Sequence, residues 1–271
     1  MLLKFIFIVI AITILIGLYV YYEVHYPDTV YININTDKIP LDHRLKILQI
    51  SDYHDSPSID IKERVLSILK AERPDLVVIT GDLLDERRTV SLKNIDLLVT
   101  EMAEINNDIY FVTGNHEWGN RNKNTLIKRL NNLGIRVLNN SSTVFEKENI
   151  QCNIVGIDDF YTHHSDLRKA FDGVDKSLYT ILLSHAPDVA WREKPPVDII
   201  LSGHTHGGQI RFPLLGAIIA PGQGLMPRYD KGLFHMDNKF FLYIDSGLGT
   251  SRIPVRFLNR SQISVITIGN S

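Results

Sequence analysis

Cysteine is almost absent from this chain of 271 residues, which contains only Cys152. A disulfide framework and a zinc site built from several thiolates are therefore both excluded. An excess of charge is also missing, since 29 Lys and Arg stand against 31 Asp and Glu. This balance gives no reason to expect a nucleic acid as a partner. The chain does have 44% hydrophobic residues, which is enough to build a core, and ten histidines.

Long hydrophobic runs are lacking except near the N-terminus, where residues 5–22 carry no charge. At ~1.5 Å per residue this run spans about 27 Å, close to the thickness of a bilayer's hydrocarbon core. We predict an uncleaved membrane anchor over residues 1–26, because the run is longer than the apolar part of a usual signal peptide and no small-residue cleavage site follows it. A cleaved signal peptide is the alternative. Lys4 before the run favours a single-pass protein in the cell membrane with its body on the extracytoplasmic side.

The rest of the chain alternates short apolar runs with amphipathic stretches. Residues 27–44 are expected to form a connector with a short strand. Strand-length runs rich in Ile, Val and Leu then begin at Leu45, Leu76, Ile109, Asn153, Thr180 and Ile199. Apolar residues at helical spacing occur between them, in residues 59–72, 91–105 and 122–133. This βαβ alternation predicts an α/β fold with buried strands. The last two runs, 240–245 and 263–268, are expected to form β-hairpins that close a second sheet.

Polar side chains that bind metals follow five of these runs directly. The residues are Asp52, His54, Asp82, Asn115, His116, His185, His204 and His206. Ligands bind at the carboxyl ends of strands in open α/β sheets, so we expect these side chains to converge. Two residues apart on an extended strand, Asp52 and His54 would point the same way. A mixture of Asp and His suits Mn, Fe or Zn, and this many ligands suits two ions that share a carboxylate.

The order of these blocks is that of a known family. Asp-x-His, Gly-Asp, Gly-Asn-His-Glu, a single His and Gly-His-Thr-His, spread over residues 45–209, closely resemble the calcineurin-like metallophosphoesterase superfamily. The segments 207–210, 227–229 and 247–250 are similar to the membrane-anchored bacterial branch that includes the YkuE and YaeI phosphodiesterases. The resemblance implies a four-layer α/β/β/α sandwich of two mixed sheets, with residues 45–271 as the catalytic domain behind an N-terminal transmembrane helix.

The resemblance also implies a role for each site residue. The metal ligands would be Asp52, His54 and His206 for one divalent ion, Asn115, His185 and His204 for the other, and Asp82 between them. His116 would be the catalytic acid or transition-state donor, and Asp85 would orient it. Glu86 stands where the phosphoprotein phosphatases carry a phosphate-binding arginine, which argues against protein dephosphorylation. Arg211, Arg228, Arg252 and Arg256 are each expected to be surface charges.

We therefore predict a phosphoester hydrolase that depends on two divalent metal ions, Mn, Fe or Zn. It would act as a phosphodiesterase at the membrane, where a hydroxide between the ions attacks phosphorus. The alternative is a lipid-linked pyrophosphatase similar to UDP-2,3-diacylglucosamine hydrolase, whose partner would be a lipid head group beside the apolar segment 207–229. A remoter alternative, a non-catalytic anchored metal-binding module, predicts missing ligands, and none is missing. An amidohydrolase would begin with His-x-His on its first strand, whereas this chain begins with Asp-x-His.

Overall fold

A computed structural model describes residues 1–237, 239–250 and 254–270. The helices are α1 Leu2–His25, α2 Ile59–Glu72, α3 Lys93–Ile105, α4 Asn115–Gly119, α5 Lys123–Asn132, α6 Leu167–Ala170 and α7 Val189–Arg192. The first nine strands are β1 Asp28–Asn35, β2 Arg44–Ile50, β3 Leu76–Ile79, β4 Ile109–Phe111, β5 Arg136–Val137, β6 Ser141–Lys147, β7 Ile150–Gly156, β8 Tyr179–Leu183 and β9 Ile199–Ser202. The remaining strands are β10 Arg211–Phe212, β11 Gly216–Ala217, β12 Ile219–Ala220, β13 Gly224–Leu225, β14 Gly232–Met236, β15 Phe240–Ile244 and β16 Gln262–Gly269.

The strands form two six-stranded mixed sheets. The first has the order β1-β16-β2-β3-β4-β5 and the second the order β14-β15-β9-β8-β7-β6. In each sheet the central strands that precede the candidate site residues run parallel, β2 to β4 in the first and β7 to β9 in the second. Their carboxyl ends therefore lie at one edge of each sheet. The short ribbons β10-β11 and β12-β13 lie outside both sheets.

Alternating side chains of each strand pack on opposite sides of its sheet, which builds a four-layer core. Ile47 and Val78 face the second sheet, while their neighbours Leu48 and Val77 pack against helices α2, α3 and α5. The second sheet repeats this period of two residues, and its outer face is covered by α6 and α7. The α/β/β/α sandwich predicted from the resemblance is confirmed.

Helix α1 stands apart from this core. It is 24 residues long, and no residue of its 18-residue apolar segment is buried against the domain. Its C-terminal end nevertheless contacts the body, since the rings of Tyr19 and Phe257 lie 5.5 Å apart and the amide of Ser261 donates to the carbonyl of Glu23 at 2.9 Å. The helix is long and apolar enough to cross a membrane, and its last turns are fixed to the folded domain.

The last strand differs from the sequence-based expectation. We expected residues 263–268 to close the second sheet, but β16 lies in the first sheet between β1 and β2. Pairing across more than 200 positions of sequence is set by the packing of the two sheets and leaves no mark on local residue pattern. Strand β1 pairs with β16 and forms the edge of the first sheet. The division of the chain into an anchor, a connector and a catalytic domain stays a prediction.

Candidate metal centre

The predicted ligands follow β2, β3, β4, β8 and β9, and the fold brings them together. Side-chain donor atoms form three groups within which all atoms lie within 4.8 Å of one another. The groups are Asp52, His54 and His206; His54, Asp82 and His116; and Asp82, His185 and His204. Asp82 and His54 each belong to two groups, so the groups form one continuous cluster.

The backbone that carries these ligands is in an unusual conformation. Asp52, His54, Asp82, His204 and His206 all have positive φ angles, between 49° and 71°. Residues with a Cβ rarely adopt this left-handed region, and such strain costs about 1–3 kcal/mol per residue and concentrates at functional sites. The expectation that Asp52 and His54 continue an extended strand is therefore wrong, because β2 ends at Ile50. Their side chains converge because the chain turns sharply at each of them.

Two glycines leave the space into which the ligands fit. A Cβ at Gly114 would lie 2.2 Å from Oδ1 of Asp82, and a Cβ at Gly203 would lie 1.8 Å from Oγ of Ser51 and 2.4 Å from Oδ2 of Asp52. All three distances are far shorter than any real contact of a Cβ atom. Glycine is needed at these two positions for close approach rather than for a turn with positive φ.

The first group of donors is held around Asp52. Nε2 of His54 and Nε2 of His206 are 3.2 Å apart, and the latter is 3.4 Å from Oδ1 of Asp52. Burial lowers the pKa of both histidines to about 3, so both rings are neutral and offer lone pairs. When each neutral ring carries its proton on Nδ1, the two Nε2 lone pairs and the carboxylate of Asp52 repel, and a cation between them would remove that repulsion.

The second group is held around Asp82. Nε2 of His185 lies 3.1 Å from Oδ2 of Asp82 and 3.0 Å from Nδ1 of His204. Nδ1 of His185 is 2.8 Å from the carbonyl oxygen of Thr80. In the neutral ring Nδ1 therefore donates to this carbonyl, and the lone pair of Nε2 is directed at the other donors. Burial acts to lower the pKa of His185, but Asp82 raises it well above its usual value, so a metal ion must compete with a proton here.

Unpartnered polar atoms test whether this cluster fits metal ions. Among the described residues, Oδ1 of Asp52 and Oδ1 of Asn115 are buried without a hydrogen-bond partner. Buried polar groups are otherwise nearly always paired. An oxygen and nitrogen donor set with no thiolate suits Mn, Fe or Zn. The residues fit two divalent ions.

His116 lies at the edge of the cluster. Its Nδ1 accepts a hydrogen bond from the backbone amide of Glu86 at 2.9 Å, so the proton of the neutral ring lies on Nε2. This Nε2 is 4.0 Å from Oδ2 of Asp82. The carboxylate of Asp85 makes its hydrogen bonds elsewhere, to the amides of Arg87 and Arg88 and to the Arg88 guanidinium. A backbone amide thus orients the histidine, and the catalytic role of Asp85 stays a prediction.

Glu117 supports the site, a role that the sequence analysis did not assign. Its buried carboxylate accepts hydrogen bonds from the amides of Asp82, Leu84 and Gly114, at 2.8, 2.8 and 2.7 Å. It thereby ties the loop after β3 to the loop after β4. The contact with Gly114, three residues earlier at the start of α4, is half of a capping box, and that spacing was the available clue.

Arg256 was expected at the surface, and this expectation is wrong. The side chain is fully buried, and its guanidinium donates to the carbonyls of Ser246, Gly247, Gly249 and Asn259. The amide of Gly249 in turn donates to the carbonyl of Asp52 at 2.6 Å. Five N–H donors in a rigid fork suit a ring of backbone carbonyls, which explains why a cation is buried without a carboxylate partner.

The other arginines are less informative. Arg211 pairs with Asp230 at 2.6 Å, and Arg228 lies over the ring of Tyr229. Arg252 lies outside the described residues.

Tyr161 is a further residue near the site that sequence reasoning missed. Its ring stacks on that of His204, with the ring centroids 4.5 Å apart. It limits the positions that the imidazole of His204 can adopt.

A cavity of about 870 Å³ opens onto the cluster. Asp82, Asn115, His116, His204 and His206 lie on one side of it. The other side is apolar and comes from the segment around β10 to β13 and from Val255. The cavity is large enough to hold an organic phosphoester with its phosphorus at the polar side.

Comparison with known proteins agrees with this geometry. Residues 45–208 match the family model of calcineurin-like phosphoesterases. The Bacillus subtilis metallophosphoesterase YkuE is 31% identical over 256 residues, covering 92% of this chain and 87% of that protein. A Danio rerio transmembrane protein with a metallophosphoesterase domain is 31% identical over 259 residues, covering 89% of this chain and 57% of that protein.

A solved structure shares the fold. GAP50, described as the anchor in the inner membrane complex of Plasmodium, superimposes with a TM-score of 0.50 at 12% identity. The match covers 83% of this chain and 80% of that one. At this identity the likeness concerns the fold alone.

Proposed function

We propose a phosphodiesterase activity at a membrane surface for this chain, which belongs to the calcineurin-like phosphoesterase family and is a metal-dependent phosphoester hydrolase. The family's cofactor is a pair of divalent ions. Here we assign Asp52, His54 and His206 to one ion. We assign Asn115, His185 and His204 to the other, with Asp82 shared between them.

The position of Asp82 is the observation that carries this assignment. Its Oδ2 lies 3.1 Å from His185 and 3.9 Å from His54, while its Oδ1 accepts the amide of His116 at 2.9 Å. One carboxylate oxygen thus faces both groups of donors. Two bound divalent ions would lower the pKa of a water molecule and neutralise charge on the phosphoryl oxygens.

His116 would donate a hydrogen bond to the leaving oxygen. His116 lines the cavity, and its Nδ1 accepts the amide of Glu86, which leaves Nε2–H as the ring's donor. The amide can donate to Nδ1 only while Nδ1 is unprotonated, so the ring's single proton lies on Nε2. Complete transfer of that proton to the leaving oxygen would leave an imidazolate anion, which is unfavourable. We therefore favour stabilisation of the leaving oxygen by a hydrogen bond over complete proton transfer.

The membrane location rests on helix α1 and on the apolar side of the cavity. Lys4, which precedes the apolar run, favours a body on the extracytoplasmic side. Protease treatment of intact cells would degrade the body if this orientation is right and spare it if the body faces the cytoplasm.

The assay that tests the proposal uses the full chain in detergent micelles, reconstituted in turn with Mn, Fe or Zn. Hydrolysis of bis-p-nitrophenyl phosphate is compared with hydrolysis of p-nitrophenyl phosphate. We expect a higher kcat/KM for the diester with at least one metal, and loss of activity with a chelator. A fully loaded protein that prefers the monoester, or cleaves neither, would contradict the assignment.

A lipid-linked pyrophosphate is the second candidate substrate, and the apolar cavity wall favours it. Ile219 lines the cavity and is exposed, so Ile219→Asp would disturb contact with acyl chains without unfolding the domain. We expect this variant to lose activity on a lipid pyrophosphate in mixed micelles but to retain it on bis-p-nitrophenyl phosphate. Leu97→Asp, at a similarly exposed position on α3 away from the cavity, is the matched control. Equal losses on both substrates would contradict a lipid-binding role for this wall.

A further inference from the structure

The C-terminal end of helix α1 is connected to the candidate metal centre by a short chain of hydrogen bonds. Oε2 of Glu23 accepts the backbone amide of Asn259 at 2.6 Å. The side-chain amide of Asn259 donates to the carbonyl oxygen of His206 at 2.7 Å. All three residues are buried. Two hydrogen bonds therefore join the membrane-spanning helix to a candidate ligand.

His206 needs such support because its backbone is strained. Its φ angle is 49°, and Gly207 after it also has a positive φ of 57°. A Cβ at Gly207 would lie 2.6 Å from Oδ1 of Asn259, so this side chain packs directly on the peptide that follows His206. A residue in the left-handed region keeps that conformation only when its surroundings hold it there.

Asn259 is itself held on several sides. Its carbonyl accepts a hydrogen bond from Arg256 at 3.3 Å, and its Oδ1 accepts one from Lys231 at 3.3 Å. Within the part of the chain that the structure describes, the backbone amide of Asn259 donates to the carboxylate of Glu23 on the anchor helix and to no other group. Without the carboxylate of Glu23, this buried N–H would lose its partner, which costs about 1–3 kcal/mol and frees the backbone of the loop.

A buried carboxylate at the end of an apolar helix is costly unless it is paired. Glu23 faces the domain rather than the solvent, and its carboxylate accepts the backbone amide of Asn259 and also interacts with the side chains of Tyr19 and the buried Arg256. If its only task were to attach the helix, the contacts of Ser261 with the Glu23 and Val24 carbonyls and the packing of Tyr19 on Phe257 would serve. The placement of its carboxylate on Asn259 points to a second task.

We propose that Glu23 is a positioning residue for the metal centre, which acts through Asn259 to hold His206 in place for its ion. The inference rests on the proposed function in one respect, since it takes His206 as a ligand. It implies that the anchor helix is part of the scaffold of the site as well as an attachment to the membrane.

The test measures metal affinity in the full chain in detergent, by competition with a chromophoric chelator, together with metal content and melting temperature. Glu23→Ala is compared with Glu23→Gln, which retains a carbonyl oxygen able to accept the amide. Asp28→Asn removes a nearby exposed carboxylate and is the matched control. We expect Glu23→Ala to weaken binding of the more labile ion about 10- to 100-fold. Glu23→Gln should weaken it less, and Asp28→Asn should leave it unchanged.

A double-mutant cycle with Asn259→Ala identifies the route. If Glu23 acts through Asn259, the combined variant should bind metal no more weakly than Asn259→Ala alone. Additive losses, or wild-type metal affinity in Glu23→Ala, would overturn the inference. If Glu23→Ala does not fold, Asn259→Ala decides, since it removes the hydrogen bond to the carbonyl of His206, and wild-type metal affinity in that variant would overturn the inference. A wild-type chain that binds no metal and cleaves no phosphoester would instead refute the proposed function.

Discussion

The Nε2 atoms of His54 and His206 lie 3.2 Å apart although 152 positions of sequence separate the two residues. Oδ1 of Asp52 is 3.4 Å from the second of these atoms. Among the described residues, Nδ1 of each ring has no hydrogen-bond partner. When the proton of each neutral ring lies on Nδ1, the two Nε2 lone pairs and the carboxylate repel, and a bound cation makes their proximity favourable. This relationship leads directly to a prediction about metal removal.

Removal of metal should destabilise the folded domain. A ligand that binds only the folded state at a hundredfold excess over its Kd adds about 2.7 kcal/mol. For a domain of this size we expect chelation to lower Tm by about 5–10 °C, with recovery on addition of Mn or Zn. Differential scanning calorimetry measures the shift, and chelator already saturated with calcium is the control. An unchanged Tm would mean that the cluster holds no ion.

Asp82→Asn should remove metal while it preserves shape. The substitution keeps the size of the side chain but deletes the charge that faces His185 and His54. We expect metal content to fall by at least one ion per chain and diesterase activity to fall more than about 100-fold. Asp158→Asn is the control, since Asp158 is also buried but binds Thr113 and Asn140. Full metal occupancy of Asp82→Asn by mass spectrometry would contradict the shared-ligand assignment.

His116→Ala should keep both ions and slow turnover. Loss of one well-placed donor to a developing oxyanion costs about 10²–10³ in kcat. The loss should be smallest for p-nitrophenolate, which needs little help to leave, and largest for an alkyl alcohol. Steady-state rates on an aryl and an alkyl diester, with metal content measured in parallel, give the comparison. Equal losses on the two substrates would place His116 away from the leaving oxygen.

Local residue pattern predicts the α/β class and the composition of the site, whereas the four layers were implied by the family resemblance. Helix α2 has the predicted bounds, and the strands that begin near Leu45, Leu76 and Ile109 occur where β-branched runs predicted them. Parallel strand order predicts that the ligand candidates lie at the carboxyl edges of the sheets, while their convergence also requires the packing of the two sheets and the left-handed turns at the ligands. Their individual roles come from the resemblance and remain predictions.

Features that depend on tertiary packing could not be predicted in this way. The position of β16 in the first sheet and the contact of Glu23 with Asn259 each join residues distant in sequence. The burial of Arg256 depends on how an irregular loop folds around its guanidinium, which local pattern does not reveal. The left-handed backbone at Asp52 is likewise invisible, since aspartate has no strong preference for it. These are the features that position the ligands rather than supply them.

Glu117→Gln should destabilise the loops that carry Asp82 and Gly114. A carboxylate offers acceptors at both oxygens, whereas an amide must direct an NH₂ group toward one of the backbone N–H donors. We expect a loss of about 1–3 kcal/mol in the free energy of unfolding, measured by urea titration with chelator present so that metal binding does not contribute. Glu63→Gln, on the exposed face of α2, is the control. Stability within error of wild type would show that the three amides find other acceptors.

Asp85→Asn separates a structural from a catalytic role for this residue. Burial acts to raise the pKa of Asp85, but hydrogen bonds from Arg88 and Arg87 outweigh burial and lower the pKa to about 2. Because the pKa in the folded state lies below the usual value of 3.8, the stabilisation is present above about pH 4 and is lost as the pH falls through 2. The difference in stability between wild type and Asp85→Asn should therefore be constant near neutrality and shrink in acid.

The partial exposure of this pair limits its contribution to the order of 1 kcal/mol, since solvent screens the Arg88 charge. Unfolding titrations of both proteins between pH 2 and 7 measure the difference. If the role of Asp85 is structural, we expect this pH dependence of stability together with a wild-type ratio of alkyl to aryl diester hydrolysis in Asp85→Asn. A changed ratio at unchanged stability would instead restore the role in orienting His116 that the family resemblance implies. The carboxylate of Asp85 stabilises the turn at residues 85–89, and the Glu86 amide that holds the ring of His116 belongs to this same turn. A changed ratio accompanied by lost stability would therefore reflect the turn, and only a changed ratio at unchanged stability indicates a direct role.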